Sequence, residues 1–541
     1  MKRFLSAVAA RLLETRSTLL VLLVCAAWLA MLAGARSLML PDEGRYIGVA
    51  WAMLRSGDWL TPTLDGLPYF HKPPLFYWLT GLALQLFGVN EWAGRLASVF
   101  GALLAVGGLF FFVRRYAGER PATLAAAVLV TQPMFFAGAQ YANLDMLVAG
   151  MISATIVCAA HAILRLDSGR SYRPALAAAY VFAALGVLAK GLIGIVLPGA
   201  IVLAWLLLRG RYRLIPALLA LPMIGLFVAV AAPWFVWMQI SYHGFWDYFF
   251  VYHHFQRFAH TGFSNAQPFW FYLPVLFLGT LPWAPWIWRA CAWKYLVDPE
   301  KVEIRSLMLV WMLGILVFFS LPNSKLVGYI LPALPPLAFL IADGFLDWRQ
   351  KRQAERAAKP ELREQGADAS LYLGASLVGG GVLCVVFITL VAVFDSTSTR
   401  SLSRQVAPLY SPDEQMVMID EYEYDLPFYL RPEKDVWVVS DWQDTAAIAA
   451  RDNWRKELYD AGQFDSAKMR EVLLLPGEFV ARLCAYTGAS LWLWGKTAQA
   501  QRYSFLPAEA IAFANARRTV WRLDAEQRRR LKDCQPTPPA G

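Results

Sequence analysis

The sequence predicts a polytopic α-helical membrane protein with a small soluble α/β domain at its C-terminal end. Three observations carry this reading. Of 541 residues, 58% are hydrophobic and the mean hydropathy is +0.42, more apolar side chain than a soluble domain of this size can bury. The apolar residues fall in repeated runs of membrane-spanning length separated by short basic loops, the pattern of a chain that crosses a bilayer many times. After Phe394 the pattern changes, and short strand-like runs alternate with helical stretches. The 22 Trp and 22 Tyr fit the same picture, because amphipathic aromatic rings collect at the two membrane interfaces.

Taken in order, Lys2, Arg3, Arg11 and Arg16 precede or flank an apolar run that continues to Leu40. That run is too long for a signal-peptide core and lacks a small-residue cleavage pattern, so it reads as an uncleaved first span with its N-terminus in the cytoplasm. Spans are expected at about 17–40, 96–113, 121–138, 145–164, 174–189, 192–208, 214–237, 269–288, 305–320, 327–343 and 371–394, about eleven in all. Leu75–Phe87 (LFYWLTGLALQLF), between Pro73-Pro74 and Gly88, is too short to cross and reads as an interfacial or re-entrant helix. With that count, Lys and Arg crowd the loops on the cytoplasmic side, as the positive-inside rule requires. The resulting expectation is a multi-pass protein of the bacterial inner (cytoplasmic) membrane. Residues 1–394 form its membrane domain, with a first periplasmic loop at 41–95 and a cytoplasmic linker at 344–370. Residues 395–541 form a periplasmic α/β domain, with strands near Gln415–Ile419 and Val436–Ser440 and helix within Thr445–Asp460.

The net charge of +10 belongs to loops that set orientation and meet anionic lipid, so membrane lipids are expected partners and nucleic acid is not. The six cysteines have no metal-ligand spacing. Cys484 and Cys534 share a polar segment, where one disulfide can form. No metal site and no cofactor are expected, although whether a divalent metal sits near the cavity stays open.

The outward face carries the chemistry. Asp42, Glu43, Arg45 and Tyr46 follow the first span directly, and Tyr69, His71 and Lys72 precede Pro73-Pro74. Asn143 and Asp145 stand at the mouth of the fourth span and Lys190 in a tight turn, with His254 and Arg257 in YHHFQR and Lys325 and Tyr329 in SKLVGY. Each has a plainer reading. Asp42 and Glu43 can cap a helix, Asp145 can join Asn143 as a cap, and Lys72 and Arg45 can snorkel to headgroups. Ionisable groups near membrane depth are nevertheless costly to keep, and their convergence on one face implies a shared polar cavity.

The string PDEGRYIGVAWAMLRSGDWLTPTLDGLPYFHKPPLFYW resembles the first periplasmic loop of bacterial lipid A aminoarabinose transferases and protein O-mannosyltransferases, members of the C-type membrane glycosyltransferase superfamily. The agreement continues in order through ANLD, LAKG, HHFQRF, PFWFYLP, LPW and SKLVGYILP, over roughly residues 1 to 345. The resemblance implies a monosaccharide donor carried on a polyprenyl phosphate, such as undecaprenyl phosphate, and inverting transfer to a periplasmic acceptor. Lipid A or another envelope glycan or lipid is the expected acceptor. It places Asp42 as the essential loop aspartate and Asp145 as a second cavity carboxylate. Lys72 would hold the lipid phosphate, and Arg45, Tyr46, Tyr69, His254, Arg257, Lys325 and Tyr329 would line the cavity. One departure is His71, where the aminoarabinose transferases tend to carry glutamate. A carboxylate that could face a cationic amino sugar is thereby lost. The span count is also about two short of those enzymes.

Elementary chemistry runs the same way. Cleaving a sugar–phosphate bond leaves extra negative charge on phosphate, which Lys72 and Arg257, supported by Lys325 or Arg45, would stabilise. A hydroxyl acceptor must lose a proton, and a carboxylate such as Asp42 can take it; an acceptor that is already an ionised phosphate would need Asp42 only for orientation. Protein O-glycosylation is the alternative activity. A transporter or flippase of lipid-linked substrates is the alternative class; it would pair broken helices in two related halves, and no second half repeats the first.

Overall fold

The computed structural model describes residues 1–15, 17–256, 266–290, 301–358, 369–503, 505–531 and 534. The chain divides into two compact units: Met1–Arg36, Lys72–Ile240 and Phe250–Phe394 form the first, and Ser37–His71, Ser241–Phe249 and Asp395–Gly541 the second. The expected loop 41–95 is therefore divided, its residues through His71 in the second unit and those from Lys72 in the first.

The first unit is helical. Among the described residues, seven helices are long and apolar enough to cross a membrane: Glu91–Tyr116, Leu144–Asp167, Arg173–Lys190, Leu221–Ser241, Val302–Ser320, Val327–Glu355 and Ala369–Phe394. The chain is a multi-pass membrane protein. The other expected spans are shorter or broken. The run 121–138 is a pair of helices, Glu119–Val130 and Pro133–Ala139, bent by 71° at a proline that cannot supply a helical N–H. The run 17–40 holds only the 13-residue helix Thr18–Ala30. Its last carbonyls are taken by side chains: Trp92 Nε1 donates to Ala30 at 2.9 Å and Gln140 Nε2 to Leu29. Within 269–288 the helix Tyr272–Gly279 gives way to a 3-10 turn at Ala284–Trp286, where Pro282 and Pro285 interrupt the ladder. Ile193–Leu208, 16 residues long, stands where 192–208 was expected. The linker expected from 344 is helical through Ala358, so Arg349, Lys351 and Arg352 ride on the helix Leu334–Ala358. Leu75–Phe87 is one short helix with the expected bounds.

One close helix crossing bears on the site. A Cβ at Gly150 would lie 2.2 Å from the Gly101 carbonyl oxygen, and one at Gly101 would lie 2.5 Å from that of Met146. Only glycine lets the backbones of Glu91–Tyr116 and Leu144–Asp167 approach this far, the small-residue contact of membrane helices. The crossing fixes the first turns of Leu144–Asp167, where Asp145 sits.

In the second unit, β1 (Thr63–Leu64) and β2 (Leu67–Pro68) form a small hairpin. The six remaining strands are β3 (Gln415–Ile419), β4 (Trp437–Val439), β5 (Leu473–Leu474), β6 (Ser490–Lys496), β7 (Ile511–Ala514) and β8 (Arg518–Asp524). They form one sheet in the order β5-β4-β3-β6-β8-β7. The pairs from β5 to β6 are parallel, and β8 runs antiparallel to both neighbours. All five residues of β3 are buried, as expected for a parallel strand covered on both faces. The core gathers Val417, Ile419, Leu491, Leu493, Trp521 and Leu523, and Cys484–Cys534 is a disulfide.

A buried carboxylate gives this unit a pH dependence. Asp425 is fully buried and accepts from Ser398 Oγ at 2.7 Å, Thr399 N at 2.9 Å and Thr399 Oγ1 at 2.9 Å. Burial, then the charge of Glu423, pushes it up to about 7, against the pull of those hydrogen bonds. A carboxyl whose folded pKa lies above its unfolded value favours the fold while protonated. That stability is full below about pH 4 and is lost as the pH rises through about 7, at most about 4 kcal/mol. The melting temperature should therefore fall between pH 5 and pH 7.5, and Asp425→Asn should flatten the fall. An equally steep fall in the variant would assign the titration to another group.

Candidate functional site

The candidate residues fall in both units. In the second, the loop helix Asp42–Ser56 starts after Pro41 with Asp42 and Glu43 in its first turn, where carboxylates meet the positive helix end. The two acids differ. Glu43 is fully buried and its Oε2 accepts from Met39 N at 2.8 Å, in the segment ahead of the helix, so it does not cap the helix itself. The Asp42 side chain keeps 29% exposure and pairs with Arg45 Nη2, one turn on.

Arg45 is shared. Its Nη1 pairs with Glu457, a residue of the helix Trp454–Gly462 in the same unit. Tyr424 Oη donates to the other Glu457 oxygen at 2.6 Å. The guanidinium lies 4.9 Å from the Tyr46 ring centre and 5.8 Å from that of Tyr424, within cation–π range. Burial raises the Glu457 pKa, while Arg45 and the Tyr424 hydroxyl pull it down. Arg45 itself is held well above its ordinary value, because Glu457, Tyr69, Tyr46 and Asp42 outweigh its burial. Nearby in sequence, the Tyr69 and His71 rings stack with centroids 4.5 Å apart, and the His71 ring lies 5.8 Å from Tyr248.

In the first unit, Asn143 caps Leu144–Asp167 through its side-chain oxygen, which accepts from Asp145 N at 2.9 Å. The Asp145 carboxylate is thus not the cap. It pairs with Lys190 at the end of Arg173–Lys190, and the Lys190 ammonium lies 4.6 Å from the centre of the Tyr329 ring. A Cβ at Gly328 would fall 2.6 Å from Asp145 Oδ2, so a bare backbone is what admits the carboxylate there. Lys325 is buried and donates to the Gln267 carbonyl at 3.0 Å and to that of Pro322. Lys72 is half-buried just ahead of Pro73-Pro74. Arg257 and the side chain of His254 lie outside the described residues.

Several buried charges are structural. Arg95 Nη1 and Arg36 Nη2 donate to backbone carbonyls, and Arg305 and Lys301 pair with the fully buried Asp343 at 2.7 and 2.6 Å. A cavity of about 530 Å³ opens elsewhere in the second unit, lined by Arg55, Lys434, Asp435, Trp437, Lys468 and Arg482 among others. None of the candidate residues lines it. Among the described residues, no three His, Cys, Asp or Glu side chains group as metal ligands.

Sequence reasoning missed Glu457 and Tyr424. Glu457 stands in RKELYD, which reads as an ordinary solvated helix, and no local signal marks its partner 412 residues earlier.

Comparison with known proteins gives the arrangement its setting. The family described as dolichyl-phosphate-mannose-protein mannosyltransferase matches residues 71–237. The undecaprenyl phosphate-alpha-4-amino-4-deoxy-L-arabinose arabinosyl transferase 1 of Sodalis glossinidius is 38% identical over 315 residues, 57% of this chain and 55% of the relative. The corresponding transferase of Pectobacterium atrosepticum is 35% identical over 338 residues, 61% and 59% of the two chains. This chain thus spans less than two thirds of the length of these curated relatives. The crystal structure of ArnT from Cupriavidus metallidurans bound to undecaprenyl phosphate matches with a TM-score of 0.77 and 22% identity, over 94% of this chain and 98% of that one. The fold is the ArnT fold. The likeness to these transferases therefore holds in sequence over rather more than half of the chain and in architecture over 94% of it.

Proposed function

We propose that this protein is an inverting membrane glycosyltransferase. It moves a monosaccharide from a polyprenyl-phosphate donor, such as undecaprenyl phosphate, to lipid A or another envelope glycan or lipid. It acts in the bacterial inner membrane with its N-terminus in the cytoplasm and residues 395–541 in the periplasm, and it uses no cofactor. The observation that carries the reading is the Asp42 carboxylate, partly open at the head of the loop helix and paired there with the half-buried Arg45, in a chain with the fold of a transferase crystallised with undecaprenyl phosphate.

The acceptor oxygen attacks the anomeric carbon on the face opposite the phosphate. The carbon–oxygen bond to phosphate breaks, and its electron pair leaves with the polyprenyl phosphate. Lys72 and Arg257 meet the charge that develops there, where a positioned cation is worth most. A hydroxyl acceptor gives its proton to Asp42; an acceptor phosphate is already ionised, and Asp42 then orients it. Asp145, held by Lys190, is the second carboxylate of the reaction. The family description that matches residues 71–237 supports a second reading, in which the acceptor is a protein hydroxyl. Incubating the purified protein with a labelled polyprenyl-phosphate sugar, and asking whether label reaches lipid or protein, tests transfer and separates the two acceptors.

A further inference from the structure

We propose that Glu457, in the C-terminal α/β domain, is a positioning residue for the Asp42 carboxylate, acting through Arg45. The inference deepens the glycosyltransferase reading and rests on it. Asp42, Arg45 and Glu457 all lie in the second unit, so the C-terminal segment is part of the site.

Three observations carry it. Arg45 is divided between two carboxylates, Nη1 to Glu457 and Nη2 to Asp42. Exposure of the three side chains is graded, 8% for Glu457, 13% for Arg45 and 29% for Asp42, so the partner set deepest holds the one most open to substrate. The loop helix is also docked on the segment that bears Tyr424. A Cβ at Gly44 would fall 2.9 Å from both Asp425 N and Tyr424 Cβ, and one at Gly48 would fall 3.5 Å from the Tyr424 carbonyl oxygen. Tyr424 in turn fixes Glu457 through its hydroxyl.

The arrangement has a chemical consequence. A guanidinium facing a single carboxylate closes a two-pronged pair with it. Because Glu457 occupies one prong, Arg45 offers Asp42 the other alone. That single prong sets the direction in which the Asp42 carboxylate faces. Without the charge of Glu457, Arg45 turns both prongs on Asp42 and occupies the group that the reaction needs.

The test compares full-length Glu457→Gln with wild type in transfer from a labelled polyprenyl-phosphate sugar. The kcat should fall by about 10- to 100-fold, the scale of a misplaced catalytic group. The Kd for polyprenyl phosphate and the melting temperature should stay near wild type, which separates positioning from a loss of fold. Glu457→Asp, which keeps the charge on a shorter arm, should recover part of the rate. In an Arg45→Ala background, Glu457→Gln should cost nothing further, because residues acting through one another are non-additive. Should Glu457→Gln fail to fold, Tyr424→Phe removes only the hydroxyl that fixes Glu457 and should lower kcat several-fold in a stable protein. An unchanged kcat in Glu457→Gln, or in Tyr424→Phe where that variant stands in, overturns the proposal while leaving transfer intact. Additive losses with Arg45→Ala also overturn it. A wild type that transfers nothing overturns the transferase reading and this inference together.

Discussion

Asp42→Asn should abolish sugar transfer while the protein stays folded in the membrane. Asparagine keeps the shape of the side chain and removes its charge. The fold should tolerate the change because Arg45 retains Glu457 as a counter-ion, so the half-buried cation is not left uncompensated. Catalysis should not tolerate it. Losing a positioned base costs about 10²- to 10⁴-fold in rate, and a group that only orients the acceptor costs about 10²-fold when misplaced. Asp145→Asn should impair transfer less, since Asp145 is turned toward Lys190. Initial rates on purified variants, with melting temperature measured alongside, check this. Near-normal turnover in Asp42→Asn would remove Asp42 from the centre of the account.

The second large effect is on donor binding. Lys72→Ala should weaken binding of polyprenyl phosphate by about 2 to 5 kcal/mol, the scale of removing one partner from a desolvated charge pair, and Arg257→Ala should do the same. Lys72 stands ahead of Pro73-Pro74, whose fixed φ angles stiffen the chain that carries it. The loss should appear in the Kd for polyprenyl phosphate measured without acceptor. Unchanged affinity in both variants would place the phosphate elsewhere. By contrast, Lys325 already donates to two backbone carbonyls, so Lys325→Ala is expected to loosen the 322–329 turn before it touches the donor.

What was legible in the sequence is what local pattern controls. Leu75–Phe87 has prolines before it and Gly88 after it, and the helix has those bounds. β3 is a short apolar run at Gln415–Ile419, and it forms there because every position is buried. The 17–40 run misled because hydropathy records length and does not see side chains arriving from elsewhere to take the helix's last carbonyls. The bend in 121–138 had a visible cause in Pro133, but its angle depends on packing. The site divides the same way. The Asp42–Arg45 pair is one helical turn apart and could be read from spacing. Glu457 reaches Arg45 across 412 residues, and only the fold brings them together. Asp145 stands in the first turn of its helix, as its place at a helix mouth suggested, yet its partner Lys190 arrives from a different helix, Arg173–Lys190, 45 residues on.

The measurement closest to the central claim is single-turnover transfer by the purified full-length protein, given a labelled polyprenyl-phosphate sugar and lipid A in detergent. The account predicts that label moves to the lipid A fraction with inverted anomeric configuration. Free polyprenyl phosphate should appear in equal amount, and neither product should form with Asp42→Asn. Label that stays on the polyprenyl phosphate with every envelope acceptor offered, together with passage of the intact donor across reconstituted vesicles, would contradict a transferase and leave a lipid-linked sugar transporter in its place.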